Sequence, residues 1–154
     1  MKFYIRNACI EIIYTQEDLY PLKLYFFNDC TMVSRITIDD QTITYLGDVR
    51  WEGSDIMSDR YGTELQCDIV QVSHHGYDGG TEELYKYLNP QTCLWPTSAE
   101  NLATMSSGKT SNNYLKVDTY ILQTLKVPVN IYAEPTSTIN LPFKQGDKIT
   151  YWDK

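Results

Sequence analysis

Cys67-Asp68-Ile69-Val70-Gln71-Val72-Ser73-His74-His75-Gly76 is the stretch on which the fold turns. Six residues of mostly β-favouring, apolar character lead into the only two histidines of the chain. A strand that ends in His-His-Gly aims imidazoles from a rigid edge, as a metal or acid–base site requires. Adjacent strand residues point to opposite faces, so strand geometry lets one of the pair act as a direct ligand. The other then holds the loop or contacts the substrate. The next residues complete a unit. Residues 74–80 carry three glycines and read as a loop, and Thr81-Glu82-Glu83 opens a helix with a capping hydroxyl and an acidic first turn. Asn89-Pro90 stops that helix after Leu88, and residues 92–95 return as a strand. Strand, helix, strand in this order predicts a parallel pair joined by a right-handed crossover.

Upstream, Thr42-Ile43-Thr44-Tyr45-Leu46-Gly47-Asp48 is a second strand-end signal, and it delivers a carboxylate in the same way. Its strand forms one arm of a predicted hairpin, residues 32–38 and 42–46 around Asp39-Asp40-Gln41. Residues 2–6, 10–15 and 22–26 also read as strands, and residues 51–61 as a helix with Gly62 as its stop. Residues 99–113 are rich in Ser, Thr, Asn and Gly and read as a surface loop. A helix over residues 113–125 comes next, its stripe made by Leu115, Tyr120, Ile121, Leu122 and Leu125. Short strands are expected near residues 129–133, 138–141 and 148–152. No repeat or linker divides the chain, so residues 1–154 read as a single domain of α/β (α+β) class, a mixed sheet with flanking helices.

Composition narrows the partners. A net charge of −7 repels phosphate backbones and anionic lipid, so non-specific nucleic-acid or membrane-surface binding is not expected. Cys9, Cys30, Cys67 and Cys93 are scattered without a Cys-x-x-Cys pair, which argues against a zinc knuckle or a disulfide scaffold and for a reducing compartment. Thirteen tyrosines suit half-packed strand positions better than a tyrosine-lined sugar or peptide groove. No signal peptide and no membrane span is visible, so a soluble, cytoplasmic protein is expected.

A Gly-Asp pair by itself is a common turn dipeptide. Combined with the histidine segment downstream, Gly47-Asp48 carries a resemblance. Tyr45-Leu46-Gly47-Asp48, a helix, then Asp68 to Gly76 is similar to the C-terminal half of a metallo-β-lactamase-fold hydrolase, half of an αββα sandwich. The branch it most resembles is typified by the hydrolase domain of bacterial DNA-uptake (competence) proteins. Asn28-Asp29-Cys30-Thr31-Met32-Val33 is similar to that branch's Asn-x-x-Ser-Leu-Val hairpin opening. Pro90-Gln91-Thr92-Cys93-Leu94-Trp95 and the tail from Val129 through Ile139-Asn140-Leu141 resemble its later strands.

The resemblance implies that Asp48 bridges two zinc ions and that His74 or His75, with His74 preferred, is a terminal ligand. The complete site would hydrolyse an ester or phosphodiester through metal-activated hydroxide. The family's site begins with His-x-His-x-Asp-His and adds a histidine before Gly-Asp, and this chain has no histidine before His74. Two protein ligands fall short of the three plus water usual for catalytic zinc. Asp29, Asp39, Asp40, Glu52 and Asp78 read as turn or solvated residues and do not stand in for the missing ligands. The chain alone is therefore expected to be inactive, with an exposed apolar surface for a missing N-terminal half-domain or an oligomeric partner. A non-catalytic interaction or structural module derived from the fold is the alternative. A small zinc domain built from the histidines and cysteines lacks supporting spacing.

Overall fold

Seven strands lie side by side in one sheet in the order in which the chain makes them. The computed structural model describes residues 1–104, 116–133, 137–140 and 150–153. Strands β1 (Lys2–Ile5), β2 (Ala8–Tyr14), β3 (Val33–Ile38) and β4 (Gln41–Tyr45) form an antiparallel meander. Strands β5 (Ile69–Gln71), β6 (Thr92–Trp95) and β7 (Val129–Tyr132) then run parallel to β4 and to one another. The change of direction comes from connection length. Asp39-Asp40 is short enough for a hairpin, whereas each later strand is reached through a helix-bearing segment.

Those segments contain α1 (Trp51–Tyr61), α2 (Glu82–Leu88), α3 (Ala99–Thr104) and α4 (Lys116–Thr119), the last continuing as a π-helical turn, Tyr120–Leu125. A separate antiparallel pair joins β8 (Ser137–Asn140) to β9 (Thr150–Asp153). Helices α1 and α2 pack on each other, and α2 also meets the π-helical turn. The sheet face toward them carries the register row Thr44–Val70–Cys93, all fully buried. Alternation sends the row Ile10–Ile36–Ile43–Ile69 to the opposite face. One continuous core runs from Tyr14 and Val33 in the meander to Trp95, Ile121 and Val127 in the parallel half.

The mixed sheet with flanking helices agrees with the sequence reading, as does the parallel pairing of β5 with β6. Two elements differ. Residues 22–26 do not form a strand. β2 already has β1 on one side and β3 on the other, so this segment finds no ladder and lays Leu24 against the core without one. Residues 99–104, expected in a loop, form α3, where the Ser98 hydroxyl accepts the Asn101 N–H at 3.1 Å. The rest of that expected loop, and the beginning of the helix expected from residue 113, lie outside the described residues.

Candidate functional site

Parallel strands β4, β5 and β6 end on the same edge of the sheet, and the loops beyond them meet there. This is the carboxyl edge of the parallel strands, although their sequential order leaves no topological switch point to open a crevice there. The β4 and β5 loops are tied together by the backbone: His74 N–H donates to Gly47 O at 3.0 Å and Gly80 N–H to Val49 O at 3.0 Å. The Gln71 side chain accepts from Gly47 N–H at 2.8 Å. Ser73 adds a hydroxyl bond to Val49 O at 2.5 Å, while its N–H donates to the buried Tyr85 hydroxyl at 2.9 Å. Gly47 has φ +58°, and a Cβ there would collide with Thr31 Oγ1, so only glycine lets β4 turn this close to the Thr31 loop.

The histidines sit on a turn of unusual backbone. His74 (φ +47°), His75 (φ +59°) and Gly76 (φ +78°) are three consecutive left-handed residues. For the two histidines that conformation costs on the order of 1–2 kcal/mol each, and it persists only where the surroundings enforce it. The enforcement is visible at both rings. His74 Nδ1 is 2.5 Å from Asp78 Oδ1, and Asp78 Oδ2 is 2.5 Å from Arg50 Nη2. His75 Nδ1 is 3.0 Å from Pro96 O. A carbonyl only accepts, and so does a carboxylate paired with arginine, so both Nδ1 atoms carry the hydrogen. In the neutral rings each Nε2 is then left with its lone pair. Metal-binding histidines present themselves in this way.

Asp48 faces one of them. Its Oδ1 lies 3.8 Å from His75 Nε2, and both side chains are close to half exposed. His74 turns instead to Asp78, and the Tyr77 ring lies 6.0 Å from each imidazole. The three candidates from the sequence thus share one sheet edge, with Asp48 and His75 opposed and His74 set apart on the same turn. Among the described residues, no group of three or more His, Cys, Asp or Glu side chains converges on a point where a metal ion could sit. Beside Asp48 opens a cleft lined by Phe27, Asn28, Cys30, Thr31 and Gly47.

Sequence reasoning missed the supporting carboxylates. Asp78 and Asp29, read as turn or solvated residues, are buried, and so is the Glu52 oxygen beside Asp29. His74 and Asp78 are four residues apart, a spacing that could have flagged the pair. Asp29 Oδ1 accepts the N–H groups of Arg50 at 2.8 Å and Gly53 at 3.3 Å, capping α1 from the loop before β3. Burial and the neighbouring Glu52 carboxyl push Asp29 up to about 6. The remaining oxygens of the two acids, Oδ2 and Oε2, are buried without a hydrogen-bond partner. Burial likewise pushes the Cys67 and Cys93 thiols up to about 12, which suits inert core residues rather than ligands or nucleophiles.

No family model matches this chain, and no curated protein matches it.

Proposed function

We propose that this chain carries part of the metal site of a hydrolase acting on an ester or phosphodiester, with Asp48 and His75 as its donors and zinc as the metal. One observation carries the reading. Asp48 Oδ1 and His75 Nε2 face each other at 3.8 Å, and with Nδ1 donating to Pro96 O the neutral ring offers Nε2 as an acceptor beside the carboxylate. With His75 held on a left-handed turn beside the Asp48 carboxylate, a cation between or beside the two groups satisfies both, as would a proton on Nε2 that makes them an ion pair. The hydrolase assignment rests further on the resemblance of Gly47-Asp48 and His74-His75-Gly76 to the metallo-β-lactamase fold.

In this reading Asp48 supplies negative charge and His75 a neutral nitrogen. His74 presents its free Nε2 to substrate or water, and the cleft beside Phe27 receives the group being cleaved. A bound zinc ion would supply Lewis acidity and lower the pKa of its water. The remaining donors come from a polypeptide segment other than these residues. A non-catalytic interaction module is the second reading, favoured by the lack of any converging group of three donors among the described residues.

Zinc titration of the purified chain tests the proposal, with imidazole ¹⁵N NMR and chelator competition as readouts. Zinc should perturb His75 Nε2, Asp48→Asn should abolish that shift, and the affinity should fall well short of the roughly 10–16 kcal/mol of a complete structural site. Zinc that moves neither imidazole refutes the metal reading. Tight one-to-one zinc would show that the chain completes a site by itself.

A further inference from the structure

We infer that Arg50 is a positioning residue for both imidazoles, and that it acts through Asp78 while clamped between Phe26 and Trp51. The inference builds on the site proposed above but has its own physical basis. Asp78 is buried, with 7% of its side chain exposed, and a buried carboxylate needs a charge partner. Arg50 supplies it, itself only 12% exposed. Its guanidinium carbon stands 3.7 Å from the centre of the Phe26 ring and 4.8 Å from that of Trp51, and the two rings meet edge to face at 6.0 Å. Stacking fixes the guanidinium plane. Nη2 is thereby aimed at Asp78 Oδ2, and Oδ1 is left for His74 Nδ1. Each carboxylate oxygen serves one donor, so neither the carboxylate nor the imidazole can rotate without breaking a bond.

The consequence reaches His75. It succeeds His74 on the same left-handed turn, whose backbone would relax if its anchors failed. Releasing His74 removes one of the two ring anchors and moves His75 away from Asp48. Phe26 and Trp51 touch neither imidazole, yet on this account they set the site's geometry.

The test reads two quantities on wild type, Arg50→Lys, Asp78→Ala and Phe26→Leu. The first is the tautomer of each imidazole by ¹⁵N NMR, which needs no metal. Wild-type His74 should be the Nδ1–H form, with mixed tautomers in Arg50→Lys and Asp78→Ala. The second is zinc affinity by chelator competition, expected to fall about 10-fold or more in both variants. Lysine keeps the charge but cannot stack, so it isolates the clamp from the ion pair. Phe26→Leu should shift both readouts the same way by less, and it guards against variants that fail to fold. An Nε2–H form of His74 in wild type overturns the inference, as does an unchanged tautomer in a folded Arg50→Lys. If no variant binds zinc and wild type does not either, the metal reading falls while the tautomers still decide the relay.

Discussion

His75 holds φ +59° without being glycine, and its side chain is 48% exposed, so little packing repays the backbone cost. Strain kept at an exposed residue is a sign that the residue is retained for what it does. His75→Gly should therefore leave stability within about 1 kcal/mol of wild type, on the stable side, because glycine accepts the left-handed region. Denaturant unfolding checks this, and a loss above about 2 kcal/mol would mean that the turn is not strained. A second isolated residue, Asp118, is 4% exposed with both carboxylate oxygens unpaired, and burial pushes it up to about 8. The folded chain then holds a proton that the unfolded chain releases above about 4, so stability falls as pH rises toward 8. Asp29, pushed up to about 6, adds to the same slope at lower pH. Between pH 6 and 8, Asp118→Asn should remove a decline of up to about 1.4 kcal/mol per pH unit. Urea unfolding at several pH values measures it, and an unchanged slope excludes Asp118 as the source.

Among the elements, the unit from β5 through α2 to β6 was legible because its signals are local: a short apolar run, Thr81 as the helix cap, Asn89-Pro90 as the stop. Thr81 Oγ1 does accept the Leu84 N–H, at 3.2 Å. The cap of α1 was not legible, since Asp29 reaches it from the loop before β3 and no local pattern announces it. The false strand at residues 22–26 has the same origin, because side-chain alternation cannot tell whether a neighbouring strand has a free edge. Asp48, His74 and His75 were visible as residue types at strand ends, whereas the partners that orient the rings, Asp78, Pro96 and Arg50, emerge only once loops meet. Helix α2 bears on the site through Tyr85, which is fully buried and accepts the Ser73 N–H. Tyr85→Phe keeps the ring and strands that N–H, so it should cost about 1–3 kcal/mol. Its effect should also appear as faster amide exchange at Ser73 and the histidine turn, and unaltered exchange there would disconnect α2 from the site.

At the scale of the whole molecule, the sheet changes from antiparallel to parallel at β4, and the question is whether the two halves fold as one body. The core argues that they do. Tyr14 and Val33 of the meander belong to the same buried cluster as Val70, Cys93 and Trp95 of the parallel half. Leu46, fully buried, comes directly after β4 at the junction and precedes the Gly47-Asp48 turn. Leu46→Ala should cost about 2–5 kcal/mol, as large-to-small changes in a packed core do. Because the cluster is continuous, that loss should appear as one shifted transition, with tryptophan fluorescence and far-UV circular dichroism moving together. Of the three tryptophans, Trp51 and Trp95 report the helix layer and the parallel strands and Trp152 lies in β9, while the dichroism sums all the strands. Separation of the two curves in the variant would show the meander unfolding on its own. Asp48 would then stand on the boundary between two units, and its distance to His75 would depend on their docking instead of on a single core.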